Sequence, residues 1–254
     1  MSNELARIAA KQLMRKLDIP AFDVAIQLGT GWHIEGVGES FGSVHQSRIA
    51  GFDREGVEGH GTDFHALVTD SGTAVLVLGS RAHLYQGATP DEVAHGVRTA
   101  HEAGCGAVVL TNAAGAVNMN YDLGDIIGIT DHLNLTGTSP AREFVDMSGA
   151  YEYPGFYVPG ITTGVYAQFR GPQFETPAEV RMSRTLGADL VGMSTALETI
   201  AARECGMKVI GLSLVTNYAA GLTEEPIRHD DVLGVGSSVR ERIAGVLQQV
   251  FDAL

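Results

Sequence analysis

The residues best able to do chemistry begin in "GSRAHLYQG", residues 79–87, where Arg81, His83 and Tyr85 occupy every second position. The preceding "TAVLVLG" predicts a strand, and if the chain stays extended these three side chains share one face while Ala82 and Leu84 share the other. A guanidinium offers a planar fork of donors and an imidazole adds one more, which suits a phosphate or a carboxylate. Taken alone, the row could equally be a polar edge strand facing water.

Further candidates close other apolar runs. "GTGW" (29–32) sets the small hydroxyl of Thr30 between two glycines, a turn whose backbone donors can cradle an anion. It is not a dinucleotide fingerprint, because Ile34 stands at the third glycine and Trp32 would crowd a pyrophosphate. "TNAAGAVN" (111–118) supplies small residues that let a ligand approach the main chain. In "GPQFETPAE" (171–179), Phe174 and Glu175 precede a capped helix, where a ring and a carboxylate can face a cleft. "VGMSTALE" (191–198) puts Met193 and Ser194 between a strand end and a helix start, where sheet ligands collect and free N–H groups attract anions. "SLVTN" ends in Asn217, an amide able to donate and accept at once. His229 lies in "PIRHDD", where a surface histidine is the simpler reading. The nine histidines lack metal-binding spacing, and neither a nucleophile elbow nor a Walker lysine is present.

These groups need a scaffold that gathers strand ends. Apolar runs at 23–29, 73–79, 107–112, 188–193 and 208–217 alternate with helical stretches, and their continuous hydrophobicity predicts strands covered on both faces. "DFHALVTDSGTAVLVLG" predicts a hairpin, so the sheet is expected to be mixed. Reciprocal Thr–Glu caps mark three helix starts, Thr89–Glu92, Thr176–Glu179 and Thr195–Glu198, with Pro90 and Pro177 at the first helical position. Gly104, Gly187 and Gly206 stop the helices that follow. Near the N-terminus, Leu5, Ile8, Ala9, Leu13 and Leu17 predict the inward face of an amphipathic helix rather than a signal peptide. One long helix is expected from about Asp230, with Val232, Val235, Val239, Ile243, Val246 and Val250 on one side. Glycine-rich 149–164 reads as a loop.

The expectation is an α/β fold, a mixed β-sheet flanked by helices in a single domain over 1–254. With 44% apolar and 19% charged residues among 254, there is enough to bury a core throughout. A formal charge of −13 excludes a phosphate-backbone binder, so no nucleic-acid partner is expected, and any anionic ligand needs a local positive pocket. No run reaches transmembrane length, and no membrane partner is expected. Cys105 and Cys205 are expected to be reduced thiols of a cytoplasmic protein rather than a disulfide.

In order along the chain, "GTG", "RAHLYQG", "TNAAG", "GPQFETPAEVR", "LGADLVGMSTALE" and "SLVTN" strongly resemble the trimeric-type purine nucleoside phosphorylases, over about residues 20–235. The superfamily also includes methylthioadenosine phosphorylases. The resemblance implies a nucleoside phosphorylase fold, a homotrimer, no cofactor, and cleavage of a purine nucleoside by inorganic phosphate as co-substrate. It implies a phosphate site at Thr30, His60, Arg81, His83, the backbone of Ala113, and Ser194. Tyr85 and Met193 would touch the ribose, Phe174 the base, and His229 the 5'-hydroxyl. Glu175 and Asn217 would read the purine, which with His83 makes them the candidate catalytic set. Phe144 is the candidate aromatic that a neighbouring subunit contributes. Asparagine at 217, where methylthioadenosine phosphorylases carry aspartate, and histidine at 229 favour 6-oxopurine nucleosides, inosine and guanosine with their deoxy forms. A methylthioadenosine phosphorylase and a purine-binding protein without turnover are the alternatives. Four departures stand out. Ser80 replaces a glycine and Gln86 a glutamate, so a charge that steadies Arg81 is expected to be missing. Ala116 stands for a glycine. Gly155–Thr163 must bridge what a helix usually spans.

Overall fold

The computed structural model describes residues 3–53, 61–79, 81–224 and 229–254, with the side chains after 228 described from 234 onward. Among the described residues nine strands, numbered in chain order, form one mixed sheet: β1 (Val24–Gln27), β2 (Glu39–His45), β3 (Asp63–Val68), β4 (Ala74–Leu78), β5 (Ala107–Ala116), β6 (Ile126–Asn134), β7 (Thr163–Gln168), β8 (Leu190–Gly192) and β9 (Lys208–Tyr218). Their order is β2-β3-β4-β1-β5-β8-β7-β6-β9, and β9 pairs again with β5, so the last five strands close on themselves. β1 lies parallel to β4 and β5, and β5 parallel to β9, whereas the hairpin β3–β4 is antiparallel as its Asp-Ser-Gly turn predicts.

Among the described residues seven α-helices cover the sheet: α1 (Asn3–Leu17), α2 (Pro90–Val93), α3 (His95–Glu102), α4 (Pro177–Thr185), α5 (Ala196–Glu204), α6 (His229–Ser238) and α7 (Arg240–Asp252). Leu13 and Leu17 of α1 join Val97 and Ala202 in one core, while Ile243, Leu247 and Val250 of α7 pack with Ile26, Val75, Val109 and Ile210 in another. Strands between two such layers bury both faces, which is why their sequences run apolar without alternation.

All three reciprocal caps form, and Gly104, Gly187 and Gly206 adopt positive φ just past their helices. Both cysteines are free. Several expectations change. α1 turns inward Ala6, Ala9, Ala10, Leu13 and Leu17, leaving Ile8 exposed. The single C-terminal helix is two, broken at Val239, because Gly234, Gly236, Ser237 and Ser238 are poor helix formers. Strands β2, β6 and β7 have no counterpart in the sequence reading. The 149–164 stretch is not a bare loop: a short 3-10 turn at Pro154–Phe156 anchors Tyr157 and Val158 in the core before β7. No helix among the described residues is long and apolar enough to cross a membrane.

Candidate active site

A cavity of about 320 Å³ opens at the carboxyl ends of the strands, where ligands of α/β sheets collect. Each contributing segment leaves a strand end. β1 runs into a turn closed by Trp32 N–H donating to the Gly29 carbonyl (3.1 Å), with Gly31 at φ 80°. This turn presents Thr30 to the cavity. It is pinned from two sides. A Cβ on Gly29 would sit 2.5 Å from Asn112 Cα, and a Cβ on Gly236 of α6 would sit 2.4 Å from the Gly31 oxygen. Trp32 does not crowd a ligand; its buried indole donates to the Asn112 carbonyl at 2.8 Å.

After β4 the chain does not stay extended. Leu84–Gln86 form a 3-10 turn, yet Arg81, His83 and Tyr85 still line the cavity, because the turn stacks the His83 and Tyr85 rings with centroids 4.7 Å apart. Gln86 Oε1 accepts from the His83 backbone N–H at 2.9 Å and holds that turn. Burial raises the Tyr85 phenol above its ordinary pKa, against the pull of Arg81.

Arg81 behaves differently from expectation. Its fork grips a carboxylate of the protein: Nε donates to Glu198 Oε1 at 3.0 Å and Nη2 to Glu198 Oε2 at 2.5 Å. Nη2 also donates to Thr195 Oγ1 and Nη1 to the Thr111 carbonyl. Glutamine at 86 therefore does not leave the guanidinium unsteadied; Glu198, on α5, neutralises it. The Thr195–Glu198 cap supplied a signal for that carboxylate, but sequence spacing gives no hint that it reaches Arg81.

β5 lends the backbone of Ala113 and Ala114 to the wall, along with Asn112, whose Nδ2 donates to Thr195 Oγ1 at 2.9 Å. Asn112 Oδ1 is buried with no partner among the described residues. Opposite, the β5–β9 register shifts between Ala114 and Gly115, so that Gly115 faces Asn217. Such a bulge re-aims a side chain. Asn217 lines the cavity with Oδ1 accepting from Thr216 Oγ1 and Nδ2 donating to the Tyr218 carbonyl, both at 3.0 Å. Gly115 makes room, since a Cβ there would lie 3.0 Å from Asn217 Nδ2.

β8 ends at Met193 and Ser194, both in the wall. Thr195 then turns the chain into α5 at φ 83° and ψ −54°, a strained γ-turn-like conformation, closed by Ala196 N–H donating to the Ser194 carbonyl at 3.1 Å, that a β-branched residue adopts only when its surroundings impose it. Ser194 N–H donates to the buried Tyr166 hydroxyl at 3.3 Å. Past β7, Phe174 lies on the rim, 39% exposed, while Glu175 is 7% exposed and its Oε1 has no partner among the described residues. Desolvation raises the Glu175 carboxyl above its usual pKa, and the nearby Glu179 adds to the rise.

The cavity thus gathers Thr30, Arg81, His83, Tyr85, Ala113, Phe174, Glu175, Met193, Ser194 and Asn217. His60 lies outside the described residues, and of His229 only the backbone, opening α6, is described. Phe144 is fully exposed and does not line this chain's cavity. Asn112, Thr216, Tyr166 and Glu198 were missed in the sequence. No cluster of metal-ligating side chains occurs among the described residues. What remains is a hollow with hydroxyl, imidazole and helix-start donors, alongside a desolvated carboxylate and an amide.

Residues 23–252 match the phosphorylase superfamily. A purine nucleoside phosphorylase of Cellulomonas is 42% identical over 97% of this chain and 92% of its own length. Solved structures of the Schistosoma mansoni purine nucleoside phosphorylase superpose with TM-score 0.86, in a complex with inosine, and 0.85, in a complex with adenosine. Both are 28% identical and cover 99% of this chain, with 96% and 97% of their own chains matched.

Proposed function

The chain belongs to the phosphorylase superfamily and is a pentosyltransferase of the purine nucleoside phosphorylase type, and from that premise we propose that it acts on 6-oxopurine ribonucleosides and 2'-deoxyribonucleosides, inosine and guanosine. Inorganic phosphate is the co-substrate, and the products are the free base and ribose or deoxyribose 1-phosphate. The proposed setting is purine salvage, in a cytoplasmic homotrimer whose neighbouring subunit contributes Phe144.

The observation that carries the base preference is Glu175, a buried carboxylate in the cavity with one oxygen that has no partner among the described residues. Hypoxanthine and guanine bring an N1–H that would satisfy it. Adenine brings a lone pair at N1, and two acceptors would face each other. Groups left unpaired by the wrong substrate can discriminate by about 10⁴ or more.

In the proposed reaction a phosphate oxygen attacks C1' of the sugar while the C1'–N9 bond breaks and its electron pair remains on the purine. Positive charge grows on the sugar and negative charge on the base. Thr30, His60, His83, the Ala113 backbone and Ser194 hold the phosphate with Arg81, and Tyr85, Met193 and His229 hold the ribose. Phe174 flanks the base. Asn217 donates to N7 as charge accumulates there, and removing such a donor typically costs about 10² to 10³ in rate.

Incubating the protein with inosine, with and without phosphate, tests this reading. Hypoxanthine and ribose 1-phosphate should appear only with phosphate. Phosphate-independent release would make it a hydrolase, and binding without release would make it a purine-binding protein.

A further inference from the structure

Glu198 is positioned to act in this site without lining it. Its side chain is 2% exposed and that of Arg81 1% exposed, so their ion pair is sealed from water. An arginine carries five N–H donors. Here two grip Glu198, one goes to Thr195 Oγ1 and one to the Thr111 carbonyl, which leaves a single Nη1 hydrogen for the cavity that Arg81 lines. The same carboxylate accepts from the Thr195 backbone N–H at 2.9 Å. Thr195 at φ 83° is unfavourable by itself, and this bond together with the one from Asn112 Nδ2 holds it there. That turn in the chain aims Ser194 at the cavity.

We infer that Glu198 is the positioning residue of the phosphate end, one carboxylate fixing both the plane of Arg81 and the strained turn at Thr195 that presents Ser194. The inference rests on the phosphorolytic reading above. It also reassigns the charge of the site: the Arg81–Glu198 pair is neutral, so the oxyanion is met by aimed donors and not by a free guanidinium charge. A carboxylate so near also repels phosphate, so two effects oppose each other when it is removed. Loss of position wins. In Glu198→Gln, Oε1 replaces one acceptor, but the amide nitrogen must face either Arg81 Nε or the Nη2 and Thr195 N–H pair, all of them donors.

The test is steady-state kinetics of Glu198→Gln with phosphate and inosine varied independently. KM for phosphate should rise roughly 10- to 100-fold, the loss of a buried charge-assisted hydrogen bond. KM for inosine at saturating phosphate, and hypoxanthine binding by calorimetry, should stay within about twofold, since the base end is untouched. An unchanged or lower phosphate KM would overturn the inference, as would an equal rise in both constants. A second variant covers misfolding. Replacing both partners of a buried pair by apolar groups is often neutral for stability, so Arg81→Met/Glu198→Met should fold, bind hypoxanthine and fail to saturate with phosphate. If it folds and uses phosphate normally, or if neither variant folds, the pair serves the core alone and the inference is wrong. A wild-type protein that releases no hypoxanthine with phosphate would instead refute the proposed function.

Discussion

Replacing Glu175 with glutamine separates charge from shape at the purine end of the cavity. The carboxylate is almost fully buried, and its Oε1 has no partner among the described residues. With inosine bound, that oxygen would accept from N1–H as an anion, a charged hydrogen bond worth about 1.5 to 3 kcal/mol. Glutamine can still accept, but as a neutral hydrogen bond worth about 0.5 to 1.5 kcal/mol, and the difference of about 1 to 1.5 kcal/mol should lower kcat/KM for inosine roughly 5- to 13-fold. Its amide can also donate to N1 of adenine, so kcat/KM for adenosine should rise. Stability moves the other way. Desolvation lifts the folded pKa of Glu175 above the ordinary 4.5. The group's contribution is therefore present below that value and is lost as pH rises through the folded pKa, leaving the ionised form a cost at neutral pH. Glutamine removes the cost, and the melting temperature of the ligand-free variant should rise at pH 7 and shift little at pH 4. The assays are hypoxanthine and adenine release at saturating phosphate and a thermal melt at both pH values. Unchanged inosine kinetics together with an unchanged adenosine rate would refute the assignment of Glu175 to N1.

Three further substitutions probe other parts of the cavity. Asn217→Asp removes the donor aimed at N7, so inosine turnover should drop by about 10² to 10³ while the adenosine-to-inosine rate ratio rises; an unaltered ratio would mean Asn217 does not read the base. Gln86→Glu should keep the acceptor for the His83 N–H and place a carboxylate beside the imidazole, with Arg81 and Tyr85 as its other charged or titratable neighbours in the cavity wall. The added negative charge opposes an anion held at His83, so the phosphate KM should rise, and an unchanged phosphate KM would count against His83 as a phosphate donor. Gly29→Ala drives a Cβ to 2.5 Å from Asn112 Cα; overpacking against main chain costs about 1 to 3 kcal/mol or more, and both the melting temperature and phosphate affinity should fall.

The parts of this architecture that local chemistry dictates are legible in the amino-acid sequence. Apolar runs gave strands β1, β4, β5, β8 and β9, and Thr–Glu spacing gave the starts of α2, α4 and α5. The candidate site residues other than His60, Phe144 and His229 meet in one hollow. What was not readable depended on contacts between distant segments. β2 is a mostly exposed edge strand, so it lacks the apolar signal of a covered one, while β6 and β7 mix apolar with polar and glycine residues. Gly236 packs closely on Gly31, a contact between segments at opposite ends of the chain that only the assembled fold creates. The 3-10 turn after β4 could not be told from continued strand, since alternation at 81, 83 and 85 fits both. Glu198 read correctly as a cap, yet its grip on Arg81, 117 residues away, needs the sheet to be assembled first.

A crystal structure of the protein with hypoxanthine and ribose 1-phosphate tests the central claim most directly. The account predicts N1–H of the base on Glu175, N7 facing Asn217, and the phosphate group among Thr30, His83 and Ser194, with Arg81 still gripping Glu198. A base seated away from Glu175, or a phosphate group bound outside this cavity, would contradict it.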